Sequence, residues 1–216
     1  MELNWQIISN KLTETFMLKR TAVGVKILKD NPFIEDKDII KPETPTRFCQ
    51  MVLDAAEGKK ILTSAQDLNC QSPVICLGFE EPRYADIEPR IRPATTKAVY
   101  IAALDLFTTD PDVILFIFTP RQSMEFARAI QLLKNEDITV EFGARMAVCG
   151  EAVAKPYIEK KPNLTMLCYG ARIHTNFCDD ELVFGIPTSW IKEIVKSQVL
   201  NKIVEARELE KELFPS

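Results

Sequence analysis

Cys49, Cys70, Cys149 and Cys168 are the residues of this sequence whose type and spacing most readily do chemistry. Cys49 lies in Arg-Phe-Cys-Gln-Met-Val-Leu and Cys149 in Ala-Val-Cys-Gly-Glu-Ala-Val, and each opens an apolar stretch of helical character. Another cysteine follows 21 residues after Cys49 and 19 after Cys149: Cys70 in Leu-Asn-Cys-Gln-Ser-Pro, Cys168 in Met-Leu-Cys-Tyr-Gly-Ala. Similar contexts at similar spacing, met twice, predict an internal repeat. A pseudo-twofold axis passing near them would bring four sulfurs together where the halves join. Four convergent thiolates suit tetrahedral Zn²⁺ or an iron–sulfur cluster. A helix N-terminus at such a site stabilises thiolate through its dipole and free N–H groups.

A reading without cofactor competes with this one. Free cysteine is a small hydrophobe and is among the most buried residue types. The sequence has no Cys-x-x-Cys, the close pair that zinc ribbons and common ferredoxin runs use. Cys76, within Val-Ile-Cys-Leu, reads as core, and Cys178, in Asn-Phe-Cys-Asp-Asp, as a loop residue. A nucleophilic cysteine needs a base, and the sole histidine, His174, follows Cys168 by six residues, so that pair is a third possibility. Gly-x-Ser-x-Gly, Walker A and Gly-x-Gly-x-x-Gly sequences are all absent. Arg145 and Arg172 flank the second cysteine pair and would bind an anion or tune a thiol, with Gly170 beside them; Arg121 reads as a surface ion pair.

Elements must position these residues. Periodicity predicts a helix over 2–19, buried through Leu3, Ile7, Ile8, Leu12 and Phe16, and a strand over 22–28. Three prolines among charges make 30–46 mostly loop. A helix over 47–57 follows, capped by Thr46 and ended by Gly58, with Cys49 in its first turn. Strands are predicted over 60–64 and 74–79, then a mixed-charge loop over 80–93 carrying Arg83, Arg90 and Arg92, and a helix over 95–106. The apolar run 112–119 reads as a central strand. Pro120 opens a helix to Lys134 that buries Met124, Phe126, Ala127, Ile130 and Leu133. An edge strand over 138–142, a helix over 146–157, strands over 164–169 and 181–185, and one long helix opened by Pro187 complete the reading.

The expected class is α/β or α+β: a mixed sheet with flanking helices in two pseudo-symmetric halves. One domain spans 1–216, with a repeat over about 21–80 and 112–187 and a C-terminal helix over 188–212. Hydrophobic residues at 46% supply a core, and a net charge of −4 with pI near 5.3 argues against tracking nucleic-acid phosphates. No apolar run reaches the length of a membrane span, and the first residues lack a signal-peptide layout, so the expected compartment is cytoplasmic. The C-terminal helix is a candidate surface for homo-oligomers, and its charged last part, 205–212, is expected to project into solvent.

Ala-Val-Gly-Val-Lys, Arg-Phe-Cys-Gln-Met-Val, Cys-Gln-Ser-Pro with Leu-Gly-Phe after it, Pro-Asp-Val-Ile-Leu-Phe, Cys-Tyr-Gly-Ala-Arg and Asp-Glu-Leu-Val-Phe-Gly-Ile-Pro together resemble the family catalogued as domain of unknown function 169, from about Thr21 to Val204. The resemblance implies recurring cysteines at Cys49, Cys70, Cys149 and Cys168 and a Cys-x-Gly-x-Arg pattern at Cys168, Gly170 and Arg172. The first half departs from that pattern, with Ser72 where glycine is commoner and no arginine after it. The family carries no established activity, so catalytic residues stay unassigned. The expectation is an iron–sulfur protein, [4Fe–4S] preferred, with Cys49, Cys70, Cys149 and Cys168 as ligands. It would act in redox chemistry or sensing on a small molecule or with a redox partner. A structural zinc protein and a cofactor-free binder of small anions are the alternatives.

Overall fold

Asn4 starts the first helix, α1 (Trp5–Phe16), its Oδ1 accepting the backbone N–H of Gln6 and Ile7. The structure is a computed structural model that describes residues 4–30, 34, 36, 38–82 and 89–214. After α1 come β1 (Val23–Leu28), the two-residue β2 (Ile39–Ile40), α2 (Phe48–Ala56), β3 (Lys60–Thr63), the six-residue α3 (Gln71–Cys76), β4 (Ala98–Ala103) and β5 (Val113–Phe118). α4 (Pro120–Lys134) opens with proline and a reciprocal cap between Thr119 and Gln122. An eight-residue π-helix (Ala147–Ala154) runs into α5 (Lys155–Glu159). Then follow β6 (Asn163–Thr165), α6 (Tyr169–His174), β7 (Leu182–Pro187), α7 (Thr188–Lys196) and α8 (Val199–Leu213).

Among the described residues the strands form one mixed sheet in the order β2-β3-β4-β1-β5-β7-β6, in which β2 and β3 pair parallel and the other neighbours antiparallel. The class is α+β, a mixed sheet with flanking helices. The period-two alternation of the strands divides the core. Val23, Val25, Val113, Leu115 and Ile117 face one layer with α2, α3 and the π-helix, while Ile114, Phe116 and Phe118 face the other with α1, α4, α7 and α8. The cysteine-bearing elements therefore share one face of the sheet. Among the described residues, no helix is long and apolar enough to cross a membrane.

Several expectations are corrected. Residues 74–79 are not a strand: Gln71–Cys76 is helical, and Gly78 at φ +78° ends the turn. A short apolar run buried all round has no period to distinguish the two. Residues 95–106 are not a helix. Ala98–Ala103 is a strand buried on both faces, where packing overrides alanine's helical preference. Residues 138–142 form no strand. Thr46 does not cap α2; its hydroxyl donates to the Thr44 carbonyl, and its backbone bridges to Leu68. Gly58 does end α2, at φ +99°. The C-terminal helix is two, broken at Ser197, whose hydroxyl donates to the Ile194 carbonyl and accepts from the Val199 N–H. Ile7 and Met124 are mostly exposed rather than core. Leu3 and Arg83 lie outside the described residues.

Candidate functional site

Cys49 is the second residue of α2, and Cys70 and Cys168 occupy the N-cap positions of α3 and α6. Cys149 is the third residue of the π-helix and is buried. All four line one small cavity of about 20 Å³, shared with Arg47, Pro73, Arg145, Met146 and Gly170. Local bonding brings the first pair together. The Thr46 N–H donates to the Asp67 carbonyl and the Asn69 N–H to the Thr46 carbonyl, so the segments entering α2 and α3 run side by side. The Asn176 N–H, beyond α6, donates to Gln50 Oε1 on α2, which ties the fourth cysteine's helix to the first's.

Gly170 shows how closely these elements approach. A Cβ there would lie 2.8 Å from Arg47 Nη1, and Cys168 Sγ lies 3.8 Å from the same point. The missing side chain therefore admits the Arg47 guanidinium beside Cys168. The π-helix is held open by a side chain: Asn163 Nδ2 donates to the Glu151 carbonyl inside the π-helix and to the Glu141 carbonyl before it, each at 2.9 Å. Such wide turns concentrate at functional sites.

Burial pushes the Cys49 thiol up to about 12, with Cys168 and Cys70 adding to the effect and Arg47 opposing it. Cys149 is pushed well above the ordinary thiol range, first by its hydrogen bond with Cys76 and then by burial. These two are therefore thiols at neutral pH and poor nucleophiles. Alkylation should follow this order. Iodoacetamide at pH 7.5 should label exposed Cys178 well before Cys49, Cys76 or Cys149, as read by peptide mass spectrometry. Equal labelling of Cys149 and Cys178 would contradict the arrangement.

Among the described residues, no three of His, Cys, Asp and Glu stand close enough to share one metal ion. One tetrahedral ion holds its sulfurs about 4 Å apart, given Zn–S bonds of about 2.3 Å. A cluster spreads its ligands wider, because each sulfur bonds a different iron. The four cysteines line one cavity without single-ion spacing among the described residues. Cys76 lies outside the cavity lining, its Sγ 3.4 Å from Met146 Sδ and hydrogen-bonded with Cys149.

The remaining candidates separate. Arg172 donates to the carbonyls of Met166, Cys178 and Glu181, so its guanidinium clamps the turn leading into Cys168 to the loop before β7. Arg172→Ala should lower Tm by about 4–8 °C in a thermal melt, from roughly 2 kcal/mol of lost bonds to a charged donor; an unchanged Tm would refute the clamp. Arg145 is exposed at the cavity rim, without a hydrogen bond or ion pair among the described residues. His174 is exposed at the last residue of α6 while Cys168 caps its first, about 9 Å of helix rise away, so the two form no nucleophile–base pair. Arg121 pairs with Glu125, as expected of a surface arginine. Cys76 is fully buried and Cys178 exposed. Sequence reasoning missed Arg47, although it stands two residues before Cys49, and Glu151, two residues after Cys149. A cavity of about 620 Å³ between α4 and α8 lies on the opposite layer from the cysteines.

Residues 11–197 match the profile of the family described as Uncharacterised ArCR, domain of unknown function 169. Uncharacterized protein MJ0308 of Methanocaldococcus jannaschii is 27% identical over 215 residues, covering 88% of this chain and 91% of that protein. No solved structure matches. With its cysteine-bearing elements all inside the matched span, the chain belongs to the domain of unknown function 169 family.

Proposed function

We propose that the chain is an iron–sulfur protein, with Cys49, Cys70, Cys149 and Cys168 holding a cluster, [4Fe–4S] preferred, for redox chemistry or sensing on a small molecule. The observation that carries this reading is the convergence of these four cysteines, from two distant stretches of sequence, on one cavity. The group would supply one-electron transfer when bound. The chain's own part is to position the sulfurs and exclude water: Cys149 from the buried π-helix, Cys49 from the first turn of α2, and Cys70 and Cys168 from two short helix starts.

Charge supports the reading. Four thiolates around a [4Fe–4S] core leave a net charge of about −2. Arg47 and Arg145 both reach the cavity, and neither has a carboxylate partner among the described residues. Two guanidinium groups without a carboxylate among the described residues have nothing to neutralise around neutral thiols; around such a cluster they would balance its charge. The cavity of about 20 Å³ holds roughly one water, so loading requires its walls to spread.

An internal repeat belongs to the same proposal. From β3 to β6 the strand order β3-β4-β1-β5-β7-β6 reads as two mirrored triplets joined by the antiparallel β1–β5 pair. In each half a cysteine in the first turn of a helix is followed by a strand and then by a cysteine capping a six-residue helix. That pattern supports a pseudo-twofold axis between β1 and β5, which places both half-sites on one face.

Anaerobic reconstitution of the full chain with ferrous iron and sulfide tests the function. The expected outcome is broad visible absorption and about four irons per chain. A colourless protein retaining about one zinc would establish the structural-zinc alternative, and a colourless, metal-free protein would overturn both.

A further inference from the structure

Beside the cysteine cavity lies a second pocket of about 220 Å³, lined by Pro89, Glu141, Gly143, Arg145, Glu151 and Lys155. Arg145 and Met146 line both spaces and form the wall between them. The pocket is smaller than drug-sized ligand sites of about 300–1,000 Å³, so only a small molecule fits it. Its charges are unusually disposed. Glu151 is 5% exposed, and no cation pairs with it among the described residues. Its two oxygens accept from the Gly143 N–H and the Thr165 hydroxyl. A carboxylate has further acceptor sites, so Glu151 keeps capacity toward the pocket.

Arg145 faces the same space without a partner among the described residues. Glu151 Oε1 and Arg145 Nε lie 3.9 and 4.0 Å from one point, the place of an added Cβ on Gly143, yet the two side chains form no ion pair. Lys155 is a different case, already held by Glu141 and Glu159. Among the described residues the pocket therefore presents one unpaired cation, Arg145, and one buried anion, Glu151, with glycine opening the space between them.

We propose that this pocket binds a small zwitterion of the amino-acid type, its carboxylate on Arg145 and its ammonium on Glu151. A fork of parallel N–H donors fits a carboxylate, and a buried acceptor-only group fits an ammonium. A ligand bound there sits one residue from the four-cysteine cavity, through Met146 and Arg145. The pocket does not use the cysteines, and binding to iron-free protein is expected.

The test is isothermal calorimetry on the full iron-free chain. The probes are L-amino acids of graded side-chain size, each paired with its des-amino carboxylic acid. At least one amino acid should bind saturably, at least tenfold tighter than its des-amino partner. Arg145→Ala, at an exposed position that leaves the core intact, should abolish binding of that amino acid. Glu151→Gln should remove the preference for the amine. If Glu151→Gln does not fold, Arg145→Ala and the paired probes still decide. Failure of every probe to bind, equal affinity for the des-amino acids, or unchanged affinity in Arg145→Ala would each overturn the proposal. Iron content is measured separately, so loss of the cluster reading and loss of this one are distinct results.

Discussion

Gly185→Ala is expected to lower the thermal midpoint of the protein by roughly 8–16 °C, the equivalent of about 4 kcal/mol for a chain of this size. Gly185 lies in β7, paired with Asn163 of β6 and Leu115 of β5. Its φ is not in the left-handed region, so the requirement is space and not conformation. A Cβ there would lie 1.7 Å from the Ala152 carbonyl oxygen, 2.5 Å from its carbon and 2.8 Å from its Cα. These are backbone atoms of the π-helix, which cannot rotate away as a side chain could. The added methyl group would push the whole π-helix off the sheet, against a core that tolerates little overpacking. Cys149 and Glu151 ride on that helix, so under the proposed cluster ligation iron loading should fall together with stability. Gly58→Ala provides the control: a Cβ there meets nothing within 4 Å and pays only for its positive φ. A Gly185→Ala midpoint within about 2 °C of the parent would show that the π-helix is not seated as described.

The same strand shows what the sequence could and could not disclose. The strand predicted over 181–185 falls on β7, which runs on to Pro187, and those predicted over 22–28 and 112–119 cover β1 and β5, because β-branched and aromatic residues dominate them. Capping chemistry was also legible at Pro120 and Gly58. Two stretches exchanged identity. Ala98–Ala103 is rich in alanine but is clamped between β1 and β3, and tertiary pairing set its conformation. Val74–Phe79 is apolar throughout, but Gln71–Cys76 closes one helical turn and a half between Cys70 and Gly78. The four cysteines were legible as a set through their repeated spacing. Arg47 was not, because what brings it to Cys168 is the empty side of Gly170, a close approach that one-dimensional spacing does not encode. Arg172 was legible as a neighbour of Cys168, and only its three carbonyl partners reveal a clamp.

Substituting the cysteines one at a time gives the sharpest separation between cofactor ligands and core. Serine at Cys49, Cys70, Cys149 or Cys168 should reduce iron after anaerobic reconstitution from about four per chain to below about one, since an alcohol is a poor substitute for a soft thiolate. Alanine at Cys178 should leave iron unchanged, because that residue is exposed in the loop before β7. Cys76 is the informative case. It is as buried as Cys149 and touches Met146, but it stands outside the residues that line the cavity. Cys76→Ala should cost about 1–2 kcal/mol through the void it leaves, while iron loading stays near that of the parent. A purely packing role for all six would give another order: stability losses tracking burial, with Cys76 and Cys149 worst, Cys49, Cys70 and Cys168 milder, and no iron in any of them. The two orders cross at Cys70. That residue is only partly buried and its side chain caps nothing, so packing predicts a mild change there, and ligation predicts loss of the cluster.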